Sequence, residues 1–226
     1  MQKFLYHLLR ILFILLVPLV IVLGSIRLLA TNPYLAFEYR KVDFPADTFG
    51  FDRTQRLAYA SANIQFVTGN RPLQDLAGQN LGGAALYNNR ELKHMQDVQS
   101  VYQAVWRAWK IAVFLLFLSG LLLAWRKANR SSLASAIKAG GLLTAGLVVA
   151  IGLAAVLAWQ SWFTTFHQVF FAPGSWTFDF SDTLIRLFPE KFWFDIALTI
   201  SALSLSAGLL LAVAGWRWQM ALRNER

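Results

Sequence analysis

A chain of 226 residues in which 57% of the side chains are apolar and 15% are aromatic is typical of a protein that crosses a membrane several times, and it excludes an ordinary water-soluble domain. The net charge is +9. The excess Lys and Arg residues lie mainly in segments predicted on one side of the membrane, so membrane topology explains the charge and a nucleic-acid partner is not needed. The chain has no cysteine, which excludes disulfides, a thiol nucleophile and a thiolate metal site.

Four apolar stretches are long enough to cross a bilayer as helices, which takes about 20 residues. They cover residues 8–29, 105–125, 133–159 and 192–216. The first stretch follows Lys3 and Arg10, as the core of a secretory signal would, but it is longer than the roughly 7–15 apolar residues of such a core. We therefore predict an all-α membrane core, a bundle of four transmembrane helices, with the first helix an uncleaved anchor.

The charges on the connecting segments predict the orientation of this bundle. The N-terminus, the loop 126–132 with the start of the third span, and the tail 217–226 carry nine basic residues and one acidic residue. The basic residues are Lys3, Arg10, Arg126, Lys127, Arg130, Lys138, Arg217, Arg223 and Arg226, and the acid is Glu225. Cytoplasmic loops are enriched in Lys and Arg. Both termini are thus predicted to be cytoplasmic, with residues 30–104 and 160–191 on the outer side of the membrane.

The outer segment 30–104 is too long for a simple connection and predicts a small extracytoplasmic α+β domain that caps the bundle. The aromatic-rich stretch Tyr34–Val42 alternates imperfectly and predicts a strand. Residues 51–66 predict a helix, because apolar side chains recur at helical spacing behind Asp52, a favoured cap. The glycine-rich run 78–83 predicts a flexible turn, and it lacks the strand and helix that flank a nucleotide-binding loop.

The end of this segment carries one of the three histidines. Asn88 or Asn89 is placed to cap a helix with Glu91 in its first turn, and no helix breaker follows until the second span ends. His94 and Asp97 are then neighbours on one helix face. Asp97 is thereby positioned to hydrogen-bond the His94 ring and fix its tautomer. The same spacing is also ordinary on the solvated surface of a helix.

The outer segment 160–191 is dense in aromatic side chains, which we predict to be mainly anchors at the membrane interface. Residues 177–180 are predicted to pair as a short strand with the first outer domain. Asp182 is placed to cap a short helix that carries Arg186. Arg186 has two interpretations: it holds an anionic group or a developing oxyanion, or it forms a surface ion pair with Asp182 or Glu190.

His94 and His167 lie 73 positions apart, each at the predicted outer end of a spanning helix. Histidine titrates near neutral pH and moves protons in both directions, so two on one membrane face can form an acid/base pair. The alternative is two amphipathic side chains at the interface. Asp97 and Asp182 could complete a metal site with them, but the chain has no HExxH or clustered histidine motif, and we predict neither metal nor cofactor.

The segments around the two histidines resemble a known bacterial family. They read Glu91-Leu-Lys-His-Met-Gln-Asp-Val98, His167, Pro173-Gly-Ser-Trp-Thr-Phe178, Asp182-Thr-Leu-Ile-Arg-Leu-Phe-Pro189 and Phe192-Trp-Phe-Asp195. In these motifs, in span order and in the long first outer segment, the chain resembles the four-span lipoprotein intramolecular transacylases.

The resemblance implies an enzyme without a cofactor that moves the sn-2 acyl chain of a diacylglyceryl-modified lipoprotein onto the α-amino group of its N-terminal cysteine. It implies a four-helix membrane bundle with a small outer domain, and it places His94 and His167 in the catalytic positions. Asp97, Asp182 and Arg186 are predicted as supporting residues on physical grounds alone.

The main alternative is a non-enzymatic membrane accessory or assembly protein whose outer domain binds a partner protein. A transporter is disfavoured, because no charged residue lies deep in any span to mark a path for an ion or substrate. The expected partners are the lipidated lipoprotein and the membrane lipids, with no nucleic acid.

Overall fold

The computed structural model describes residues 2–69, 71–125 and 129–224. In chain order its elements are α1 (Gln2–Leu29), α2 (Asn32–Glu38), α3 (Arg53–Val67), α4 (Leu73–Ala77), β1 (Asn80–Leu81), β2 (Ala84–Ala85), α5 (Asn89–Ala124), α6 (Arg130–Leu157), α7 (Trp159–Phe170), α8 (Thr183–Leu187) and α9 (Glu190–Asn224).

Four of these helices are long and apolar enough to cross a membrane: α1, α5, α6 and α9. Each predicted span falls on one of them, so four membrane-capable helices are confirmed. Helix α6 ends at Leu157, and α7 begins after a break at Ala158, which has a non-helical backbone. Residues 126–128 of the predicted loop and residues 225–226 of the predicted tail lie outside the described residues. Four of the charged side chains used to predict the orientation lie there: Arg126, Lys127, Glu225 and Arg226.

The chain forms two compact units. The first comprises Met1–Ile26, Trp106–Ala154 and Thr199–Arg226, and thus the apolar parts of the long helices. The second comprises Arg27–Val105 and Ala155–Leu198, which include both predicted outer segments in full.

The first unit packs its helices through a small apolar cluster and through glycines. Phe13, Val17, Leu123, Leu133 and Ala136 form the buried cluster. A polar contact also joins two of the helices, because the indole of Trp109 donates a hydrogen bond to the Val20 carbonyl at 3.0 Å. In lipid, small residues allow the close backbone approach on which helix association depends.

Gly141 of α6 marks the closest such approach, and its replacement by alanine is expected to destabilise the protein. A Cβ there would meet the Gly208 carbonyl oxygen of α9 and lie 2.6 Å from the Ala212 nitrogen, both rigid backbone atoms. Overpacking of this kind costs about 1–3 kcal/mol. The checking measurement is the thermal unfolding midpoint of Gly141→Ala in detergent.

Gly146 of the same helix supplies the matched control, because a Cβ built there meets no atom within 4 Å. Gly146→Ala is expected to hold or raise the midpoint, since alanine is the better helix former by roughly 0.8–1.0 kcal/mol. Equal shifts in the two variants would contradict the assignment of Gly141 to a helix–helix contact.

In the second unit, the predicted strand at Tyr34–Val42 is wrong, because residues 32–38 form the helix α2. The start signal lies just upstream: Thr31 is the N-cap and accepts a hydrogen bond from the Tyr34 N–H, and a proline occupies the first turn. Both features favour a helix start and outweigh the aromatic, strand-like composition of the segment.

Two predicted helix starts in this unit are confirmed. Asp52 and Gln55 form a reciprocal capping box at α3, in which Asp52 Oδ1 accepts from the Gln55 N–H at 2.8 Å. Asn88 and Glu91 do the same at α5, with their side chains accepting from each other's backbone N–H at 2.9 and 2.8 Å. Helix α5 then continues without a break to Ala124, as the sequence predicts.

The β structure of this unit is smaller than expected. The predicted glycine-rich turn joins β1 to β2 in an antiparallel hairpin, and Gly82 and Gly83 take the positive φ angles, 60° and 87°, that a tight hairpin turn requires. Residues 177–180, predicted as a strand, lie outside regular structure. Among the described residues, β1 and β2 make up the sheet.

Candidate functional site

His94 lies in the second turn of α5 and is buried, with 9% of its surface exposed. Its ring packs against the rings of Phe171 and Phe178, at centroid distances of 4.9 and 5.3 Å. Its Nδ1 atom is buried and has no hydrogen-bond partner among the described residues. Because a buried cation without a partner is costly, these surroundings favour the neutral imidazole.

His167 lies near the C-terminal end of α7 and is half-buried. Its Nδ1 is 2.7 Å from the carbonyl oxygen of Phe163. A carbonyl oxygen only accepts, so Nδ1 carries the proton and donates it in this bond. In the neutral ring, Nε2 then has the free lone pair. The hydrogen bond thus leaves His167 with one nitrogen that can accept a proton.

The surroundings of His167 also determine its charge. Burial lowers the pKa of the imidazole below its ordinary value, and the hydrogen bond to the Phe163 carbonyl opposes this shift only in part. Four aromatic rings surround the imidazole, those of Phe163, Phe166, Phe171 and Trp176. The ring is therefore neutral at pH 7 and available as a base.

The second unit brings the two histidines together. Their ring centroids are 6.5 Å apart and the rings are nearly parallel, at 19°. Phe171 contacts both, at 4.9 Å from His94 and 5.6 Å from His167. Both rings can therefore reach one small group of reacting atoms, in aromatic surroundings of low polarity that strengthen electrostatic interactions.

The depressed pKa of His167 predicts a titration midpoint below the ordinary histidine value of about 6.5. The sign follows from burial: the charged form is disfavoured, so protonation requires a lower pH. Nuclear magnetic resonance of ¹⁵N-histidine-labelled protein tests this directly, because the chain has only three histidines. The resonance absent from the His167→Ala spectrum identifies His167. A midpoint at or above about 6.5 would show a ring that is solvated or paired with an acid.

The predicted hydrogen bond between Asp97 and His94 is not formed. Asp97 instead accepts from Lys93 at 3.0 Å, an exposed pair one helical turn apart. Lysine at this spacing is a competing partner for the carboxylate, and the pairing is the ordinary helix-surface chemistry that the sequence left open.

Asp182 lies at the N-cap position of α8, as predicted, but its side chain makes no capping hydrogen bond. It accepts instead from Asn88 Nδ2 at 3.0 Å and from Arg90 Nη2 at 3.1 Å. Arg90 in turn lies over the ring of Phe178, which packs against His94. Asp182 therefore contacts Arg90 and not His94, and Arg90 leads to His94 through the ring of Phe178.

Arg186 forms neither of the predicted ion pairs. Its guanidinium binds the buried carboxylate of Asp47 at two atoms, at 2.9 and 3.1 Å, and lies 3.5 Å from the centroid of the Phe51 ring. Burial alone would raise the pKa of Asp47, but hydrogen bonds from Arg186 and from the N–H groups of Phe51 and Phe49 hold it below its ordinary value. The charge of Arg186 is thus paired with that of Asp47 in this arrangement.

Glu91 is the most important residue that the sequence did not single out for the site. It is 2% exposed. One of its carboxylate oxygens accepts from the Asn88 N–H at the start of α5, and the other accepts a hydrogen bond from the Leu184 N–H of α8 at 2.8 Å. Glu91 thus joins the start of α5 to the start of α8, three residues before His94. The same elements line an open cavity of about 300 Å³, with Asp182 and Arg186 among its walls.

The aromatic residues around the histidines were predicted only as interface anchors. Phe171, Trp176 and Phe178 instead contact the histidine rings. No spacing rule identifies such a cluster, because its members follow α7 in irregular structure. Among the described residues, no three His, Cys, Asp or Glu side chains come together as a metal site.

Comparison with known proteins yields one family. Residues 11–193 match the family described as lipoprotein intramolecular transacylase Lit. An uncharacterized protein of Aquifex aeolicus is 30% identical over 200 residues, which cover 84% of this chain and 85% of that protein.

Solved structures agree in fold. The membrane-integral lipoprotein intramolecular transacylase Lit of Bacillus cereus matches with a TM-score of 0.72 at 17% identity, over 100% of both chains. A variant of it in which a histidine is replaced by arginine matches with a TM-score of 0.69 at 16% identity, over 100% of this chain and 96% of the variant. On the extent of the family match and the identity to the Aquifex relative, the chain belongs to the lipoprotein intramolecular transacylase Lit family, a family of membrane enzymes.

Proposed function

We propose that this protein transfers the sn-2 acyl chain of a diacylglyceryl-modified lipoprotein to the α-amino group of its N-terminal cysteine. The observation that carries the proposal is the histidine pair, His94 and His167, with ring centroids 6.5 Å apart in an aromatic cluster. Family membership supports the reaction class, and the free Nε2 of His167 supports the role of a base.

The chemistry needs one proton to move between two atoms of the substrate. An α-amino group has a pKa near 8, and His167 Nε2 accepts its proton as the nitrogen attacks the ester carbonyl. The new C–N bond forms, the ester C–O bond breaks, and the glycerol oxygen takes the proton back from the His167 imidazolium, either directly or through His94, which accepts that proton at one ring nitrogen as it gives up the proton on the other. The products are an amide and a free hydroxyl, so atoms and charge balance without a further reactant.

Nucleophile and ester belong to the same molecule, so the protein gains rate mainly by holding a bent conformer of the substrate. Correct positioning of two reacting groups is worth up to about 7–11 kcal/mol of the barrier. We place the reaction at the outer leaflet, with both termini cytoplasmic and the second unit outside. The distribution of basic residues supports this orientation, and acyl chains reach the headgroup plane there.

Donor and product have the same mass, so the decisive experiment must locate the acyl chain. A lipoprotein is purified from cells that lack other N-acylating enzymes, with and without this protein. Mild alkali cleaves esters and spares amides. The expected N-terminal peptide keeps one acyl chain after alkali only when the protein is present, and tandem mass spectrometry places it on nitrogen. A peptide that loses both chains in the presence of folded protein would leave the non-enzymatic alternative.

A further inference from the structure

Four of the tryptophan side chains differ in whether their indole N–H group has a hydrogen-bond acceptor. Trp109 and Trp193 donate to backbone carbonyls, those of Val20 and Phe188, at 3.0 and 3.1 Å. The Nε1 atoms of Trp159 and Trp176 are buried and have no acceptor among the described residues. A buried donor left unpaired costs free energy, so one that persists in a native structure calls for a reason.

Trp176 is the unpaired indole beside the base. Its ring centroid lies 4.8 Å from that of His167, at an interplanar angle of 36°. The turn before it is fixed by Ser175, whose N–H and hydroxyl both donate to the Ala172 carbonyl, at 3.1 and 2.8 Å. The indole is thus held beside the ring of His167, the proposed base.

Two other donors in this region are engaged. His167 Nδ1 donates to the Phe163 carbonyl, and Arg186 is paired with Asp47. The indole N–H can only donate a hydrogen bond, so the ligand atom that would pair with Trp176 is an acceptor such as an oxygen. In a diacylglyceryl substrate whose amine is positioned at His167, the ester carbonyl under attack is close to that amine, and its oxygen is an acceptor of this kind.

We propose that the Trp176 indole N–H donates a hydrogen bond to the carbonyl oxygen of the reacting ester and stabilises the negative charge that develops there. This inference rests on the proposed acyl transfer. As nitrogen bonds to the carbonyl carbon, the C=O electron pair moves to oxygen, and collapse of the tetrahedral intermediate returns it and releases the glycerol oxygen. A positioned donor in a site that excludes water acts most strongly on this transient charge.

The test is Trp176→Phe, which removes the N–H and keeps an aromatic ring beside His167. We expect kcat to fall on the order of 10²–10³-fold, with little change in KM. The free protein loses an unpaired donor and part of the indole ring, so any fall in the thermal midpoint reflects lost packing and not a lost hydrogen bond. Trp159→Phe is the matched control: it loses the same buried, unpaired atom, at a ring whose neighbours are Trp162, Phe163 and Phe194.

A second substitution covers the case in which the smaller ring disturbs folding. Benzothienylalanine at position 176 keeps the bicyclic shape and carries sulfur in place of the N–H, and it should show the same fall in kcat. Unchanged kcat in this variant, or equal losses at positions 159 and 176, would overturn the role of Trp176 while leaving the acyl transfer intact. Absence of acyl transfer in the wild-type protein would remove both proposals.

An infrared measurement separates binding from catalysis. A lipopeptide whose α-amino group is acetylated cannot react, and a ¹³C label in its sn-2 ester identifies the carbonyl stretch. Binding to the wild-type protein should lower this frequency, because the hydrogen bond weakens the C=O bond. The shift should persist in His94→Ala and vanish in Trp176→Phe. An identical shift in the wild type and Trp176→Phe would contradict the proposal.

Discussion

Replacement of His167 by alanine is expected to lower the rate of acyl transfer by about 10²–10⁴-fold, the usual contribution of a general acid–base group. The reason lies in the tautomer: the Phe163 carbonyl holds the proton on Nδ1 and leaves Nε2 to accept one. The rate is measured on a purified diacylglyceryl lipopeptide by the appearance of the alkali-stable acyl chain. Thermal unfolding should change little, since His167 is half-buried and makes a single local hydrogen bond.

His94→Ala is expected to cause a loss of similar size, and the double variant is the sharper experiment. If the two rings act on one proton transfer, the combined loss will be close to the larger single loss rather than the product of the two. His7, the third histidine, is exposed, and His7→Ala is the matched control that should retain full activity. Full activity in both His94→Ala and His167→Ala would show the acid/base roles to be wrong even where the reaction is right.

Replacement of Glu91 by alanine is expected to destabilise the protein by about 2–4 kcal/mol, because its buried hydrogen bond from the Leu184 N–H contributes about 1.5–3 kcal/mol and the part-buried one from Asn88 adds less. The Glu91 carboxylate accepts from the N–H groups of Asn88 and Leu184, both at 2.8 Å. Its loss would leave the buried Leu184 N–H and the part-buried Asn88 N–H without their acceptor, and it would release the start of α8 from α5. Thermal unfolding in detergent measures the effect, and activity should fall with it, because His94 lies one turn away on α5.

Asp75→Ala is the control for Glu91→Ala within the same unit. Asp75 forms an exposed ion pair with Arg71 at 3.7 Å, and pairs of this kind contribute roughly 0–1 kcal/mol. A Glu91→Ala protein as stable as Asp75→Ala would mean that water satisfies the two backbone donors and that the carboxylate is not a structural tie.

Local patterns in the sequence predict the helices well. The caps at Asp52 and Asn88 were identifiable because a capping side chain and its partner lie three residues apart. The four membrane-capable helices were identifiable because length and apolar content alone define them. The strand predicted at residues 34–42 was wrong because a local signal of the same kind, a helix cap, was missed. A local helix start at Thr31 was overlooked, and it decided the structure of the segment.

The partners of the supporting residues were not predictable in this way. Arg186 pairs with Asp47, which lies 139 positions earlier, and Asp182 binds Asn88 and Arg90 across more than 90 positions. In both cases the sequence offered nearer partners of suitable charge. Which of several compatible charges meet depends on how the helices pack, and spacing along the chain carries no information about that.

By itself the sequence determined a membrane protein with four apolar helices, a capped helix that carries His94, and two histidine-bearing motifs that resemble one enzyme family. These features depend on composition and on contacts within a few residues. Only the tertiary structure decided that the two rings meet at 6.5 Å, that Nε2 of His167 is its free nitrogen, and that the indole of Trp176 stands unpaired beside it. Catalytic geometry of this kind arises from the packing of α5 and α7 with the irregular segment after α7, and hydrophobic burial and shape set that packing.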